Sequence, residues 1–141
     1  MGVDESVQHD LMKISCKCGE VCLTSCESQL RFLQECACRD CCLRIEWAIS
    51  NGADAEMPTK YGPVFQGLAA NCFVAVEGLE KLEVYKMREE SKAVLFVCSD
   101  CKSIVVIDHK DMSPNNCIVP LDTCQVECYK KYKRTDALMR N

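Results

Sequence analysis

Short apolar runs separated by polar turns dominate this chain and predict a molecule built mostly of β-strands. Val21-Cys22-Leu23-Thr24 and Leu30-Arg31-Phe32-Leu33 come first. Ile45-Glu46-Trp47-Ala48-Ile49 alternates apolar and polar, the period of a half-buried strand. Asn51-Gly52 ends it, and a polar loop with Pro58, Gly62 and Pro63 follows. Cys72-Phe73-Val74-Ala75-Val76 and Leu82-Glu83-Val84-Tyr85 are the next strands, separated by Gly78. Ala93-Val94-Leu95-Phe96-Val97 runs into a cysteine pair and Ile104-Val105-Val106-Ile107 runs out of it, so a hairpin turns at that pair. Asn116-Cys117-Ile118-Val119 is the last strand. Beyond Pro120 the pattern reads as weakly helical, with Cys124 and Cys128 four residues apart on one face. The body is read as residues 13 to 122. Residues 1 to 12 form a flexible lead, and residues 123 to 141 a basic tail or short C-terminal helix.

The cysteines change this picture. There are fourteen in 141 residues, and seven fall into tight groups: Cys16-Lys17-Cys18, Cys36-Ala37-Cys38-Arg39-Asp40-Cys41, and Cys98-Ser99-Asp100-Cys101. Thiolates spaced by one or two residues can turn back onto a single ion. A structural zinc takes four ligands, and a catalytic one takes three and keeps a position open. A site joining Cys16 and Cys18 to Cys98 and Cys101 would clamp the two halves of the sheet, which suits a structural ion. The Cys36, Cys38, Cys41 triplet leaves one position for water or an incoming thiolate, unless the adjacent Cys42 closes it. The alternative for either group is a set of buried, reduced cysteines acting as small hydrophobes. His9 and His109 read as surface histidines. Cys22, Cys26, Cys72, Cys117, Cys124 and Cys128 read as packing or idle residues.

Composition and charge narrow the setting. The start of the chain, Met-Gly-Val-Asp-Glu-Ser, has no apolar or cationic stretch of the kind a secretory signal needs. Gly2 and Ser6 formally meet a myristoylation pattern, with Asp4 and Glu5 against it. No run approaches the roughly 20 apolar residues of a membrane span. The expected setting is therefore reducing, cytoplasmic or nuclear, where clustered cysteines usually hold metal. The net charge of −4 disfavours general nucleic-acid binding by the body of the domain. Lys130, Lys131, Lys133, Arg134 and Arg140 concentrate positive charge at the end, as a solvated tail or as a contact for nucleic acid or another acidic partner.

Taken together, Cys16-x-Cys18-Gly19, Cys36-x-Cys38-x-x-Cys41 and Phe96-Val97-Cys98-x-x-Cys101 resemble the glutathione-dependent formaldehyde-activating enzyme family. Tyr85-Lys86-Met87, and the stretch from Met112-Ser113-Pro114 to Leu121-Asp122, resemble its eukaryotic branch that includes centromere protein V. The resemblance covers about residues 13 to 122. It implies a mainly β, Mss4-like fold with two zinc ions per chain. Cys16, Cys18, Cys98 and Cys101 would hold a structural zinc, and Cys36, Cys38 and Cys41 a second zinc at a glutathione site. The implied activity is carbon–sulfur lyase chemistry, in which formaldehyde and glutathione form S-hydroxymethylglutathione reversibly. The chain departs from the family pattern at Ala37, Cys42, the run Leu43-Arg44-Ile45-Glu46, and Lys102, where glycine is usual. The missing glycine suggests a different turn after the last cysteine pair. Arg39 and Arg44 would pair with a glutathione carboxylate or be plain solvated arginines. Trp47 would line the site or belong to the core. The competing readings are a non-catalytic zinc module that binds a macromolecule, and a thiol-rich metal buffer.

Overall fold

The computed structural model describes residues 11–57, 63–109 and 115–127. Ten strands and one α-helix make up these residues, with a short 3-10 turn at Leu79–Lys81. In chain order they are β1 (Lys13–Cys16), β2 (Cys22–Ser25), β3 (Phe32–Cys36), α1 (Arg39–Ser50), β4 (Val64–Ala70), β5 (Phe73–Glu77), β6 (Leu82–Tyr85), β7 (Ala93–Cys98), β8 (Ile104–His109), β9 (Asn116–Pro120) and β10 (Cys124–Glu127). They form a four-stranded sheet in the order β10-β1-β2-β5 and a six-stranded sheet in the order β3-β4-β9-β8-β7-β6. Every strand pairing in both sheets is antiparallel. The expectation of a mainly β domain is met.

The inner strands of the larger sheet, β4, β9, β8 and β7, are buried on both faces. Met12, Ile14, Val21 and Leu23 pack with Ala69, Val105, Val106, Cys117 and Val119 in a core between the two sheets. On the other face, Ala48 and Ala53 from the helix side meet Ala93, Leu95, Val97, Ile104, Ile107 and Ile118. Burial on two faces explains why β8 reads as an unbroken apolar run, Ile104 to Ile107, rather than an alternation. A bulge opposite Phe96 and Val97 adds one residue to β8. Val105 and Val106 therefore both reach the inter-sheet core, while Ile104 and Ile107 reach the core under α1.

Two expected elements are different. Ile45–Ile49 is not a strand; it is the second half of α1. The buried residues of that helix are Cys41, Arg44, Ile45 and Ala48, a spacing of three, four and seven. The alternation over 45–49 is a fragment of this longer period. Asn51 and Gly52 do end the element: their N–H groups donate to Trp47, Ala48 and Ile49 carbonyls, and Gly52 takes a φ of 109°. Likewise, Cys124–Glu127 is a strand and not the start of a C-terminal helix. It pairs with β1 in the register Cys16↔Cys124 to Lys13↔Glu127, so the sheet continues past residue 122. His9, Cys128, Met112 to Pro114 and the basic residues 130 to 140 lie outside the described residues.

Candidate functional site

Two thiol clusters stand out. Cys16 ends β1 and Cys18 lies in the turn that follows, where Gly19 takes a φ of 81°. The Gly19 N–H donates to the Cys16 carbonyl at 3.1 Å, and the Val21 N–H reaches Cys16 Sγ at 3.3 Å. Cys98 ends β7 and Cys101 lies in the turn to β8. There the Cys98 N–H donates to the Ser103 carbonyl, and the Lys102 N–H donates to the Cys98 carbonyl, both at 2.9 Å. Lys102 itself adopts a φ of 63°, so the left-handed turn expected of glycine is kept by lysine. The expectation of a different turn is corrected on this point.

The two turns face each other across the sheets. The Sγ atoms of Cys16, Cys18, Cys98 and Cys101 all lie within 4.8 Å of one another. Cys16 to Cys18 is 3.4 Å and Cys18 to Cys98 is 3.7 Å. Four sulfurs about 2.3 Å from a tetrahedral zinc would be about 3.8 Å apart, so the donor set and spacing fit that ion. None of the four is in a disulfide. Burial pushes the Cys16 and Cys98 thiols up. Cys101 goes the other way, down to about 6: burial opposes its ionisation, but hydrogen bonds from the Ser103 hydroxyl and from backbone N–H groups outweigh it. Thiols this close cannot all ionise without a cation among them.

The second cluster sits where β3 hands over to α1. Cys36 is the last residue of β3, Cys38 is the N-cap of α1, and Cys41 is in its first turn. Cys38 Sγ accepts the Cys41 N–H at 3.4 Å, a bond usually made by Ser, Thr, Asp or Asn. The three Sγ atoms lie within 4.8 Å of one another; Cys42 is not among them and does not close the group as a fourth ligand. Burial opposes ionisation of Cys38, yet the Cys41 and Cys36 groups and the Arg44 cation together hold its thiol below the usual range. Burial, reinforced by Cys38 and Cys36, pushes Cys41 far up. Of the three thiols, Cys38, at the positive end of a helix, is therefore easier to ionise than Cys41.

Arg44 is the informative neighbour. It is buried, at 8% exposure, and its Nη1 lies 3.9 Å from Cys41 Sγ. The solvated-arginine alternative is therefore corrected for Arg44. A buried guanidinium requires compensating negative charge. Three thiolates around a dication leave one negative charge, which Arg44 would balance. Gln66, buried in β4, accepts from Cys41 Sγ at 3.6 Å. Arg39 is exposed on the first turn of α1. Trp47 stacks on Tyr85 with ring centroids 4.3 Å apart and packs against the core under α1.

Sequence reasoning missed Gln66 and Ser103. Gln66 carried a signal, since it is the single polar side chain in Val64-Phe65-Gln66-Gly67-Leu68-Ala69-Ala70. His109 ends β8 and belongs to neither cluster. Cys117 and Cys124 behave as small core residues, with burial pushing their thiols up to about 11 and about 12. No helix among the described residues is long and apolar enough to cross a membrane. Comparison of the chain with known protein families, curated proteins and solved structures finds no match.

Proposed function

We propose that this is a zinc-binding carbon–sulfur lyase acting on glutathione–aldehyde adducts of the S-hydroxymethylglutathione type. In this reading Cys16, Cys18, Cys98 and Cys101 are the structural ligands, and Cys36, Cys38 and Cys41 belong to the reaction site. The observation that carries it is the unequal size of the two clusters: four thiols that fill a tetrahedron, and three that leave one position free. A zinc ion at the triplet would supply Lewis acidity, lowering the pKa of a thiol brought to that position.

The chain's own residues support that chemistry. The N-terminus of α1 steadies negative charge on Cys38, and Arg44 balances the charge of the cluster. In the forward direction the glutathione thiolate adds to the aldehyde carbon, a carbon–sulfur bond forms, and the former carbonyl oxygen takes a proton. The reverse direction breaks the same bond. Arg39 is the cation that solvent reaches on the first turn of α1, and it is the candidate for a glutathione carboxylate. Arg44 and Trp47 are engaged by Cys41 and Tyr85, so they serve the site indirectly.

The test begins with zinc per chain, by elemental analysis of protein purified under reductant without added metal. Two ions are expected; one would leave only the structural site. Glutathione and formaldehyde should then combine faster than without protein, and Cys38→Ser should abolish the gain while the fold remains. Two bound zinc ions with no calorimetric response to millimolar glutathione would overturn the lyase reading in favour of a non-catalytic zinc module.

A further inference from the structure

Outside both clusters, one further pair of cysteines is built into a specific geometry. Cys26 follows β2 and Cys72 precedes β5, the edge strand of the smaller sheet. The register runs Thr24↔Ala75 and then Ser25↔Phe73, with a bulge between them that leaves Val74 extra on β5. Continuing it sets Cys26 directly opposite Cys72, and the Cys26 N–H donates to the Cys72 carbonyl at 2.9 Å. Residues opposed in this way have Cα atoms about 5.5 Å apart, inside the range a disulfide spans. Burial, and after it the neighbouring Cys72 thiol, push the Cys26 thiol up. Both are reduced; Cys72 is exposed and Cys26 half-buried.

We propose that Cys26 and Cys72 form a redox-active dithiol that closes to a cross-strand disulfide by exchange with low-molecular-weight disulfides of the glutathione class. The proposal does not rest on the lyase reading or on either metal cluster. The exposed Cys72 attacks as thiolate on one sulfur of the small disulfide. That S–S bond breaks, one small thiolate leaves, and Cys72 carries a mixed disulfide. Cys26 then loses its proton and attacks the Cys72 sulfur. The mixed disulfide breaks and the second small thiol departs. The protein is oxidised by two electrons, and one small disulfide is reduced to two thiols. Burial, the Cys72 thiol and then Glu27 disfavour ionisation of Cys26, which suits the second, resolving role. The closed disulfide ties the edge strand to β2. It also encloses the segment 27 to 71, which carries β3, α1, β4 and the whole cysteine triplet.

The test uses zinc-loaded, reduced protein equilibrated with graded mixtures of reduced and oxidised glutathione. Free thiols are then alkylated and the protein is mapped by mass spectrometry. A Cys26–Cys72 linked peptide should rise with the oxidised fraction and vanish on adding reductant, while the seven cluster cysteines stay unlinked. In Cys26→Ser the reaction should stop at glutathione on Cys72. Glutathionylation of Cys72 in the unsubstituted protein without closure would overturn the proposal. So would linkage spread onto the cluster cysteines, or Cys26→Ser accumulating no mixed disulfide.

Discussion

The Ser103 hydroxyl has one proton and two neighbours. The Lys17 N–H donates to its oxygen at 3.1 Å, which leaves that proton for Cys101 Sγ, also at 3.1 Å. One side chain therefore links the first turn to the second and steadies the thiolate of a ligand. Ser103→Ala should lower zinc affinity at the four-thiol site by about 10- to 100-fold, as loss of an outer hydrogen bond to a ligand typically does. Competition with a chromophoric chelator measures this, and an unchanged affinity would show that the hydroxyl only fills space. Its neighbour Lys102 holds a left-handed φ of 63° that costs an L-residue about 1–2 kcal/mol. Lys102→Gly relieves that cost and restores about 0.5–1 kcal/mol of it as chain entropy. A net gain of about 0.5–1 kcal/mol is expected in denaturant unfolding, and any loss would show that the lysine side chain contributes more than its strain.

Cys38 is both a ligand candidate and a helix cap, and the two roles can be separated. Serine is a strong N-cap and a poor zinc ligand, and alanine is neither. Cys38→Ala should cost about 1 kcal/mol more stability than Cys38→Ser when both are measured with the four-thiol site loaded, since both should lose metal at the triplet equally. Equal stabilities would mean that the 3.4 Å contact to the Cys41 N–H contributes nothing. The same helix shows where sequence reading reaches its limit. Strands β5 to β9 were legible because β-branched runs and turn residues announce them locally. Helix α1 was not, because one of its four buried positions is Arg44, which an apolar pattern does not count, and another, Cys41, reads first as part of the thiol cluster. Strand β10 was hidden for another reason: its conformation follows from pairing with β1, more than a hundred residues away in sequence. The seven clustered cysteines were readable from spacing alone. Gln66 was marked only by its polarity in an apolar run, and Ser103 was not marked at all, since it acts through a contact that only the folded sheets create.

At the scale of the whole molecule, the four-thiol cluster sits at the seam between the sheets. Cys16 and Cys18 come from the smaller sheet and its turn, Cys98 and Cys101 from the larger one. The core beside that seam includes the small side chains Cys16, Cys98, Cys117, Cys124 and Ala69. Small side chains bury less apolar surface, so hydrophobic contact alone holds the sheets together less strongly. Structural zinc is worth about 10–16 kcal/mol in zinc-finger peptides, comparable with the entire stability of an ordinary domain, about 5–15 kcal/mol. Stripping the metal should therefore remove most of the folding free energy. A high-affinity chelator under reductant should abolish the cooperative thermal transition, and added zinc should restore it. The triplet cluster lies instead at the junction of β3 and α1, on the larger sheet and its helix. Cys38→Ser should accordingly leave that zinc-dependent transition in place, whereas Cys98→Ser should not. If the chelated protein melted at the same temperature as the loaded one, the sheets would be held by their shared core, and the clamp assigned to these four cysteines would be wrong.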